Sequence, residues 1–331
     1  MRSGLFGAAL LAAACPGSER EVTVRDEAGR GMVGAQVEAV LMPPDDPRLT
    51  SVVTCVGTTD AAGAFRYETA DAMILTRVKA SHPGHHAADA DHRHGLGRPN
   101  GNTELALTLP RRVELVPLCY REVRLTGLPA ERWIGFDAEV GDAIAPWGKG
   151  RSVDFRFQIS SRQVGWTESA EALAILRRTA EGARMDEAEW AEAYGRFEGS
   201  LRLSFPRPGD GLMSSPAFWP YCLLKMPALA PMEGYDGEAT FGFDTETDTK
   251  PSRDFNGAYL RLRTQLGAGG RITSAHYAKI HGRIEVWPGR VAFRFYYNPR
   301  ADDRRLAFAP GRNLLRPGPG EPVHRFETQQ P

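Results

Sequence analysis

The sequence lacks a net charge, because its 41 lysine and arginine residues balance 41 aspartate and glutamate residues over 331 positions. A protein that binds nucleic acid by neutralising phosphates needs a basic surplus, so this balance argues against a nucleic-acid partner. It also argues against an acidic, disordered chain. Hydrophobic residues make up 42% of the sequence, which is enough for folded cores, and the length allows about two domains.

Long hydrophobic runs are missing beyond the N-terminus. No later stretch reaches the roughly 18 apolar residues typical of a membrane-spanning helix, so the sequence predicts none there.

Cysteine is scarce, with four residues at positions 15, 55, 119 and 222. None is in C-x-x-C spacing, which excludes a zinc ribbon and a thioredoxin motif. We expect the last three to be buried structural cysteines. Cys55 and Cys119 are the candidate disulfide pair if the compartment is oxidising.

Common catalytic motifs are also absent: the chain has no G-x-S-x-G, no Walker P-loop and no H-E-x-x-H. The H-x-x-E of His324–Glu327 lies in the last eight residues, so no later histidine can complete a metallocarboxypeptidase site. The sequence therefore leans against an enzyme and indicates no particular cofactor.

What the chain does have is an N-terminus typical of export. Arg2 supplies a positive start, and residues 4–14 form an apolar run of 11 residues, too short for a bilayer but suited to a signal peptide. Ala12-Ala13-Ala14 fits ordinary secretory cleavage. The same residues directly before Cys15 resemble the lipobox of bacterial lipoproteins, with alanine at position 12 in place of the usual leucine.

We therefore expect residues 1–14 to be a signal peptide and Cys15 to be lipidated. The acyl chains would hold the protein at a membrane of the bacterial cell envelope, on the outer-membrane or periplasmic side. Plain secretion is the alternative.

Residues 15–115 read as a first domain of short strands separated by turns. The predicted strands lie at residues 21–25, 33–40, 51–56, 64–67, 74–80 and 103–109. The tightest turn is Thr59–Gly63, where aspartate can bond to its own backbone and glycine can take a positive φ. This spacing is typical of a small antiparallel sandwich.

Four motifs in this domain resemble the carboxypeptidase regulatory-like family. They are Asp26-x-x-Gly29, Gly34-Ala35-x-Val37, Thr59-Asp60-x-x-Gly63-x-Phe65 and Pro83-Gly84-His85, the last with histidine where the family often has tyrosine. The resemblance implies an Ig- or transthyretin-like β-sandwich over about a quarter of the chain. It implies an accessory or adhesive module of exported proteins, without catalytic residues.

Five of the eight histidines fall within 13 residues of this domain, together with two aspartates. Imidazoles with carboxylates suit zinc, nickel or copper, although a solvated loop over residues 87–100 explains the same composition. The candidate metal ligands are His82, His85, His86, Asp89, Asp91, His92 and His94.

Residues 116–315 read as a larger β-rich domain, since all six tryptophans lie beyond residue 130. Strand-like alternation recurs at residues 121–125, 152–160, 200–205, 258–264, 281–287 and 291–297. A helical hairpin is predicted between two of these strands: one helix from Thr167 to about Ala180, and a second from Asp186 with Trp190, Tyr194 and Phe197 on one face. Residues 316–331 are rich in proline and glycine and read as a disordered tail.

One strand of this domain carries the candidate ligand-binding residues. Alternation places His276 on one face with Ala278, and Tyr277, Lys279 and His281 on the other, near Trp287. An exposed strand face explains this pattern as well as a binding surface does.

Two further sets of side chains remain as alternatives. A hydrolytic enzyme would need some of Asp210, Asp236, Glu246, Asp254, His276 and His281 to converge in one cleft. The acidic stretch Asp244–Asp248 offers oxygen ligands for calcium, but it lacks the glycine and closing glutamate of an EF-hand.

The sequence as a whole predicts a mainly β protein: an N-terminal Ig/transthyretin-like β-sandwich followed by a larger β-rich domain with a helical hairpin insertion. The function we expect is non-catalytic binding or structural support in the cell envelope, with a carbohydrate or protein ligand. The alternatives are a hydrolytic enzyme in the second domain or a metal-binding protein that uses the histidine cluster.

Overall fold

The computed structural model describes residues 18–43, 52–69, 73–91, 104–166, 174, 195–219, 221–222, 224–244 and 255–315. The described chain is mainly β-strand, and it divides into two compact units. The first contains Met1–Arg112 and Pro220–Leu223, and the second contains Val113–Trp219 and Leu224–Pro331. The division thus falls three residues before the boundary expected from the sequence, and a short later segment belongs to the first unit.

The described residues of the first unit form seven strands in two sheets. They are β1 (Ser18–Arg25), β2 (Gln36–Met42), β3 (Val53–Thr58), β4 (Ala64–Thr69), β5 (Ile74–Ser81), β6 (Ala88–Asp91) and β7 (Glu104–Thr108). One sheet has the order β4-β1-β7 and the other β3-β2-β5-β6. Only the pairing of β1 with β7 is parallel.

Turn chemistry in this unit follows the sequence closely. The Asp60 carboxylate accepts hydrogen bonds from the backbone N–H groups of Ala62 and Ala64, and these bonds lower the pKa of Asp60. Gly63 has φ +78°, and a Cβ there would lie 2.5 Å from the Val24 carbonyl oxygen. The predicted hairpin turn therefore forms, and no larger residue fits at its glycine.

Ten strands lie in the described part of the second unit. They are β8 (Cys119–Leu125), β9 (Ile134–Asp137), β10 (Asp142–Ala143), β11 (Phe155–Trp166), β12 (Gly195–Ser204), β13 (Gly211–Ser214), β14 (Glu238–Asp244), β15 (Gly257–Leu266), β16 (Ile272–Trp287) and β17 (Arg290–Asn298). They form two five-stranded antiparallel sheets. We call β10-β9-β11-β12-β14 the first sheet and β13-β15-β16-β17-β8 the second sheet.

The main core of this unit draws on both sheets. Phe136 and Phe155 of the first sheet lie with ring centroids 4.8 Å apart, and Phe136 meets Phe295 of the second sheet at 5.5 Å. All three are buried. Because β-strand side chains alternate, every second residue of β16 and β17 faces this core, and the others form the outer face of the second sheet.

A separate tyrosine cluster lies on the outer face of the second sheet. Tyr120, Tyr259, Tyr277 and Tyr296 are buried there, and residues of the segments 224–230 and 304–309 pack against them. Part of this outer face is therefore covered by chain, and part is open.

Several predictions about elements need correction. β6 lies within the predicted loop 87–100, and β9, β10, β13 and β14 were not predicted. Phe197, expected on a helix, pairs with Gln163 in a strand. The rest of the predicted helical hairpin lies outside the described residues, apart from Ala174, and so do Cys15, the N-terminal leader and the tail 316–331.

The remaining cysteines of the described chain, Cys55, Cys119 and Cys222, are not in disulfide bonds, so the candidate Cys55–Cys119 disulfide is not formed. Cys119 and Cys222 are buried, and Cys55 is partly exposed. No helix within the described ranges is long and apolar enough to cross a membrane.

Candidate functional site

An open groove lies on the outer face of the second sheet, over strands β8, β16 and β17. Its volume is about 510 Å³, within the range of small-molecule sites. The register of the three strands explains which residues line the groove. In one row, His281 pairs with Arg294 and Arg294 pairs with Glu122. In the next row, Glu285 pairs with Ala292 and Ala292 pairs with Arg124. Directly opposed residues of antiparallel strands point to the same face, so these side chains meet in one groove.

A bulge in β16 shapes the groove. The pairing of β16 with β17 shifts register between His281 and Glu285, and Gly282 in this stretch has φ +74°. Four steps along β16 here oppose two steps along β17, so β16 carries two extra residues. Within this stretch Ile284 faces the core while Arg283 is exposed beside the groove. The irregular stretch therefore adds a charged side chain to the site and still supplies a core residue.

The groove is basic although the chain is neutral. It is lined by four arginines and two glutamates, a formal balance of +2 (4 − 2): Arg124, Arg283, Arg290, Arg294, Glu122 and Glu285. The Arg124 guanidinium is ion-paired with Glu122, and this contact raises the pKa of Arg124. Guanidinium groups bind carboxylates and phosphates through paired N–H donors, so the groove favours an anionic ligand.

Trp287 supplies an aromatic surface at the end of the groove. It pairs with Arg290 across the two-residue turn Pro288-Gly289, and its side chain is 39% exposed. A partly exposed indole beside arginines can stack on the apolar face of a ring.

The floor of the groove contains His281, which is 6% exposed. Neither of its ring nitrogens has a hydrogen-bond partner among the described residues. Burial lowers the pKa of His281 well below its ordinary value, so the ring is neutral at physiological pH. A neutral imidazole offers one donor and one acceptor, and both are unused here.

Lys279 lies next to His281 on the same face of β16 and has no exposed surface. Its Nζ atom has no hydrogen-bond partner within the described chain, and it lies 4.9 Å from the centroid of the Tyr296 ring. Burial lowers the pKa of Lys279 to about 7. The Tyr296 hydroxyl is also buried without a hydrogen bond to any described residue, so three polar groups share one unsatisfied cluster.

The structure places the other predicted ligand residues differently. Tyr277 shares the face of Lys279 and His281, but all three are buried rather than exposed, because segments of chain cover the tyrosine cluster. His276 lies on the opposite face, where its ring stacks on Tyr297 and its Nδ1 atom is 2.9 Å from the Tyr297 hydroxyl. Of the five predicted residues, His281 and Trp287 line the groove, and Lys279 is buried two residues before His281 on the same face of β16.

The described residues of the candidate hydrolytic site do not all lie in one cleft. His276 and His281 lie on opposite faces of β16, and the Asp210 carboxylate accepts hydrogen bonds from the backbone N–H groups of Arg263 and Thr264. Glu246 and Asp254 lie outside the described residues, as does most of the acidic stretch after Asp244.

In the first unit, the structure brings two of the clustered histidines together. The Nδ1 atoms of His82 and His85 are 3.2 Å apart. His86 is partly buried, which lowers its pKa, and Asp89 is ion-paired with Arg77. Asp91 follows two residues later on β6, while His92 and His94 lie outside the described residues.

No group of three His, Cys, Asp or Glu side chains in the described part of the chain could hold a metal ion. Any metal bound there by fewer side chains would need other donor atoms.

Sequence reasoning missed the arginines of the groove. The signal was present as the alternation Arg290-x-Ala292-x-Arg294 in a predicted strand and as Arg283-x-Glu285 in its neighbour. Without the pairing of β17 with β8 and β16, nothing indicated that these charges share one surface.

Comparison with known proteins gives no further information about this site. No protein-family model matches the chain, and no curated protein matches it. The candidate site is therefore interpreted from its own residues.

Proposed function

We propose that this chain is an exported envelope protein, held by a lipid on Cys15, that binds an acidic saccharide without catalysis in the groove of its second unit. Its first unit is then the Ig/transthyretin-like β-sandwich of the carboxypeptidase regulatory-like type. The helical hairpin at residues 167–194 is an insertion in the larger β-rich domain.

The observation that carries this proposal is the composition of the groove. A formal charge of +2, an exposed indole and a buried, unpartnered imidazole lie around one cavity. Buried polar groups without partners are rare in folded proteins because each costs about 1–3 kcal/mol. A ligand hydroxyl that reaches His281 would supply the missing partner.

An acidic saccharide matches each of these features. Its carboxylates suit the arginines, its hydroxyls can both donate to and accept from a neutral imidazole, and the apolar face of its ring can stack on Trp287. A protein ligand matches less well, because the groove is small and lined by charged side chains rather than being a broad apolar patch.

Binding can be tested with an oligogalacturonate and an uncharged galactose oligomer of equal length, by titration calorimetry on the full mature chain. We expect the acidic oligomer to bind, the neutral one to bind much more weakly, and the affinity to fall as salt is raised. Hydrolysis products in the same samples would support the enzyme alternative and contradict a purely binding role.

Matched variants locate the site. We expect Trp287→Ala and Arg283→Ala each to weaken binding by about tenfold, since losing a stacked indole or a charge-assisted contact costs about 1.4 kcal/mol or more. Trp133 is 38% exposed and Arg156 is exposed, both in the part of the chain that forms the first sheet. Trp133→Ala and Arg156→Ala are therefore the controls and should bind normally. Equal losses in both pairs, or losses in the control pair alone, would contradict the groove as the site.

The lipid anchor has a separate test. In cells supplied with labelled palmitate, the wild-type protein should carry the label and sediment with membranes, whereas Cys15→Ser should not. A wild-type protein that is unlabelled and found only in the medium would favour plain secretion.

A further inference from the structure

A tight turn after β5 places two histidines side by side. Pro83 is its second residue and Gly84, with φ +76°, its third, which is the pattern of a type II turn. The backbone N–H of His85 donates to the His82 carbonyl oxygen at 3.1 Å and closes the turn. The first and fourth positions of the turn are thus both imidazoles.

Hydrogen bonds to residues 110–112 hold this turn in place. The backbone N–H of His86 donates to Pro110, and that of Arg112 donates to Gly84, each at 2.8 Å. The Arg112 guanidinium also donates to the His85 carbonyl oxygen at 3.0 Å. Because the backbone is fixed on both sides of Gly84, the two histidines are organised before any ligand arrives.

Three electron-pair donor atoms converge between the two rings. The two Nδ1 atoms are 3.2 Å apart, and each lies 3.0 Å from the carbonyl oxygen of Pro83. For bonds of about 2.1 Å, ligand atoms are separated by about 3.0 Å in octahedral and about 3.4 Å in tetrahedral geometry. The observed separations fall in this interval.

The tautomer of the two rings decides what this triangle does. With a proton on each Nδ1, both rings donate to the two lone pairs of the Pro83 carbonyl oxygen, and no hydrogen bond joins the rings. With the protons on the Nε2 atoms, three bare electron-pair donors face one another at 3.0–3.2 Å. A cation between the rings would select this second tautomer and turn the repulsion among the donors into three attractive contacts.

We propose that His82, Pro83 and His85 bind a divalent transition metal through the two Nδ1 atoms and the Pro83 carbonyl oxygen. Two imidazoles favour copper, nickel or zinc over calcium or magnesium, and copper binds most tightly in the usual order of affinities. Pro83 is exposed, and a Cβ added to Gly84 would meet nothing within 4 Å, so water can complete the coordination.

Asp89, another member of the histidine cluster, is paired elsewhere. The Asp89 carboxylate accepts hydrogen bonds from the Arg77 guanidinium, and this contact lowers the pKa of Asp89. The site proposed here is independent of the saccharide groove, and its failure would leave the proposed function untouched.

The test is titration of the metal-free full mature chain with Cu²⁺, Ni²⁺ and Zn²⁺, with Ca²⁺ as the comparison. We expect one site per chain, with affinity in the order copper, then nickel or zinc, and no calcium binding. His82→Ala and His85→Ala should each lower the affinity by at least about tenfold. The variants His86→Ala and His92→Ala/His94→Ala are matched controls from the same tract and should bind normally.

Nitrogen-15 NMR of labelled histidine gives a second readout that does not depend on folding of a variant. Binding of Zn²⁺ should shift the Nδ1 signals of His82 and His85 and leave their Nε2 atoms protonated. Binding that survives loss of both His82 and His85, that vanishes in the His92/His94 variant, or that shifts Nε2 instead would overturn the assignment. So would the absence of copper, nickel and zinc binding.

Discussion

The second unit contains two buried charge clusters, and they differ in how completely their polar groups are paired. In one, the fully buried Asp154 carboxylate accepts hydrogen bonds from Arg263 at 2.9 and 3.0 Å and from the backbone N–H of Ala138. In the other, Lys279 and His281 have no hydrogen-bond partner among the described residues. We call these the paired cluster and the unpaired cluster.

The difference indicates that the paired cluster stabilises the fold, whereas the unpaired cluster has hydrogen-bonding groups left for a ligand. The paired cluster links β15 to the loop before β11, and its carboxylates bond largely to backbone; Asp137, for example, accepts hydrogen bonds from Glu139, Val140, Arg151 and Ser152. A buried amine or imidazole without a hydrogen-bond partner lowers stability, because it has lost its contacts with water. Perturbed groups of this kind are enriched at functional sites, and His281 of this cluster lines the basic groove.

The largest effect is expected in the paired cluster. Arg263→Met leaves the Asp154 carboxylate buried without its main partner, so we expect a loss of about 3–5 kcal/mol in the free energy of unfolding. Denaturant unfolding at pH 7 measures this. The control is Arg162→Met, whose side chain is 79% exposed and should change stability by less than about 0.5 kcal/mol. Similar small losses in both variants would remove the distinction between the clusters.

In the unpaired cluster the sign should reverse. Lys279→Met keeps the aliphatic stem and removes the amine, so we expect the variant to be more stable than the wild type at pH 7. The upper bound is about 5 kcal/mol, from a pKa that falls from 10.5 to about 7. Lys149 is exposed, and Lys149→Met should leave the stability unchanged. A destabilised Lys279→Met protein would show that the amine has a stabilising partner.

The same substitution predicts a pH dependence with a definite direction. Between pH 7 and 10.5 the unfolded chain holds a proton on Lys279 that the folded chain has released, so this group makes stability rise with pH. The advantage of Lys279→Met should therefore shrink by up to about 1.4 kcal/mol per pH unit from pH 7 towards pH 9 and level off below pH 7. Unfolding measured for both proteins at pH 6, 7, 8 and 9 tests the slope, and a constant difference would contradict the buried neutral lysine.

The smallest stability effect is expected at the histidines, where the two faces of β16 can be compared directly. His281→Leu removes two unsatisfied nitrogens and should stabilise the fold by about 1 kcal/mol, while weakening saccharide binding. His276→Leu removes the contact with the Tyr297 hydroxyl and should destabilise the fold by about 1 kcal/mol, without affecting binding. Thermal unfolding measures the two stability changes, and the oligogalacturonate titration measures binding by each variant. Equal weakening of binding in both variants would argue against the groove as the binding site.

Much of the fold follows from local pattern. The strand Arg290–Asn298 was predicted to within one residue at each end, and the Thr59–Gly63 turn was also predicted. The strand Phe155–Trp166 was predicted only as far as residue 160. The missed strands include short ones, such as β9 and β10, and one of low strand propensity, the Ala-Asp-Ala-Asp of β6. Such segments become strands because a neighbour supplies a paired edge, which a single sequence does not reveal.

The sites show the same limit more sharply. Alternation correctly placed His276 and His281 on opposite faces, but exposure was misjudged, since burial of Lys279 depends on segments more than 20 residues away in the chain. For the histidine cluster, helix and strand spacings were considered, whereas the pairing of His82 with His85 follows from a β-turn. The Pro-Gly pair between them was the available signal.

The sequence by itself determined the neutral charge, the β-rich composition, the turn residues and the face on which each side chain of β16 lies, because these depend on residue type and on the two-residue period of a strand. Only the tertiary structure decided that arginines from separate strands share one groove and that Lys279 is buried. Strand register and the segments covering the sheet set both, and they bring together residues far apart in sequence. The same neutral chain thus has a basic groove at one site and fully paired charges at another.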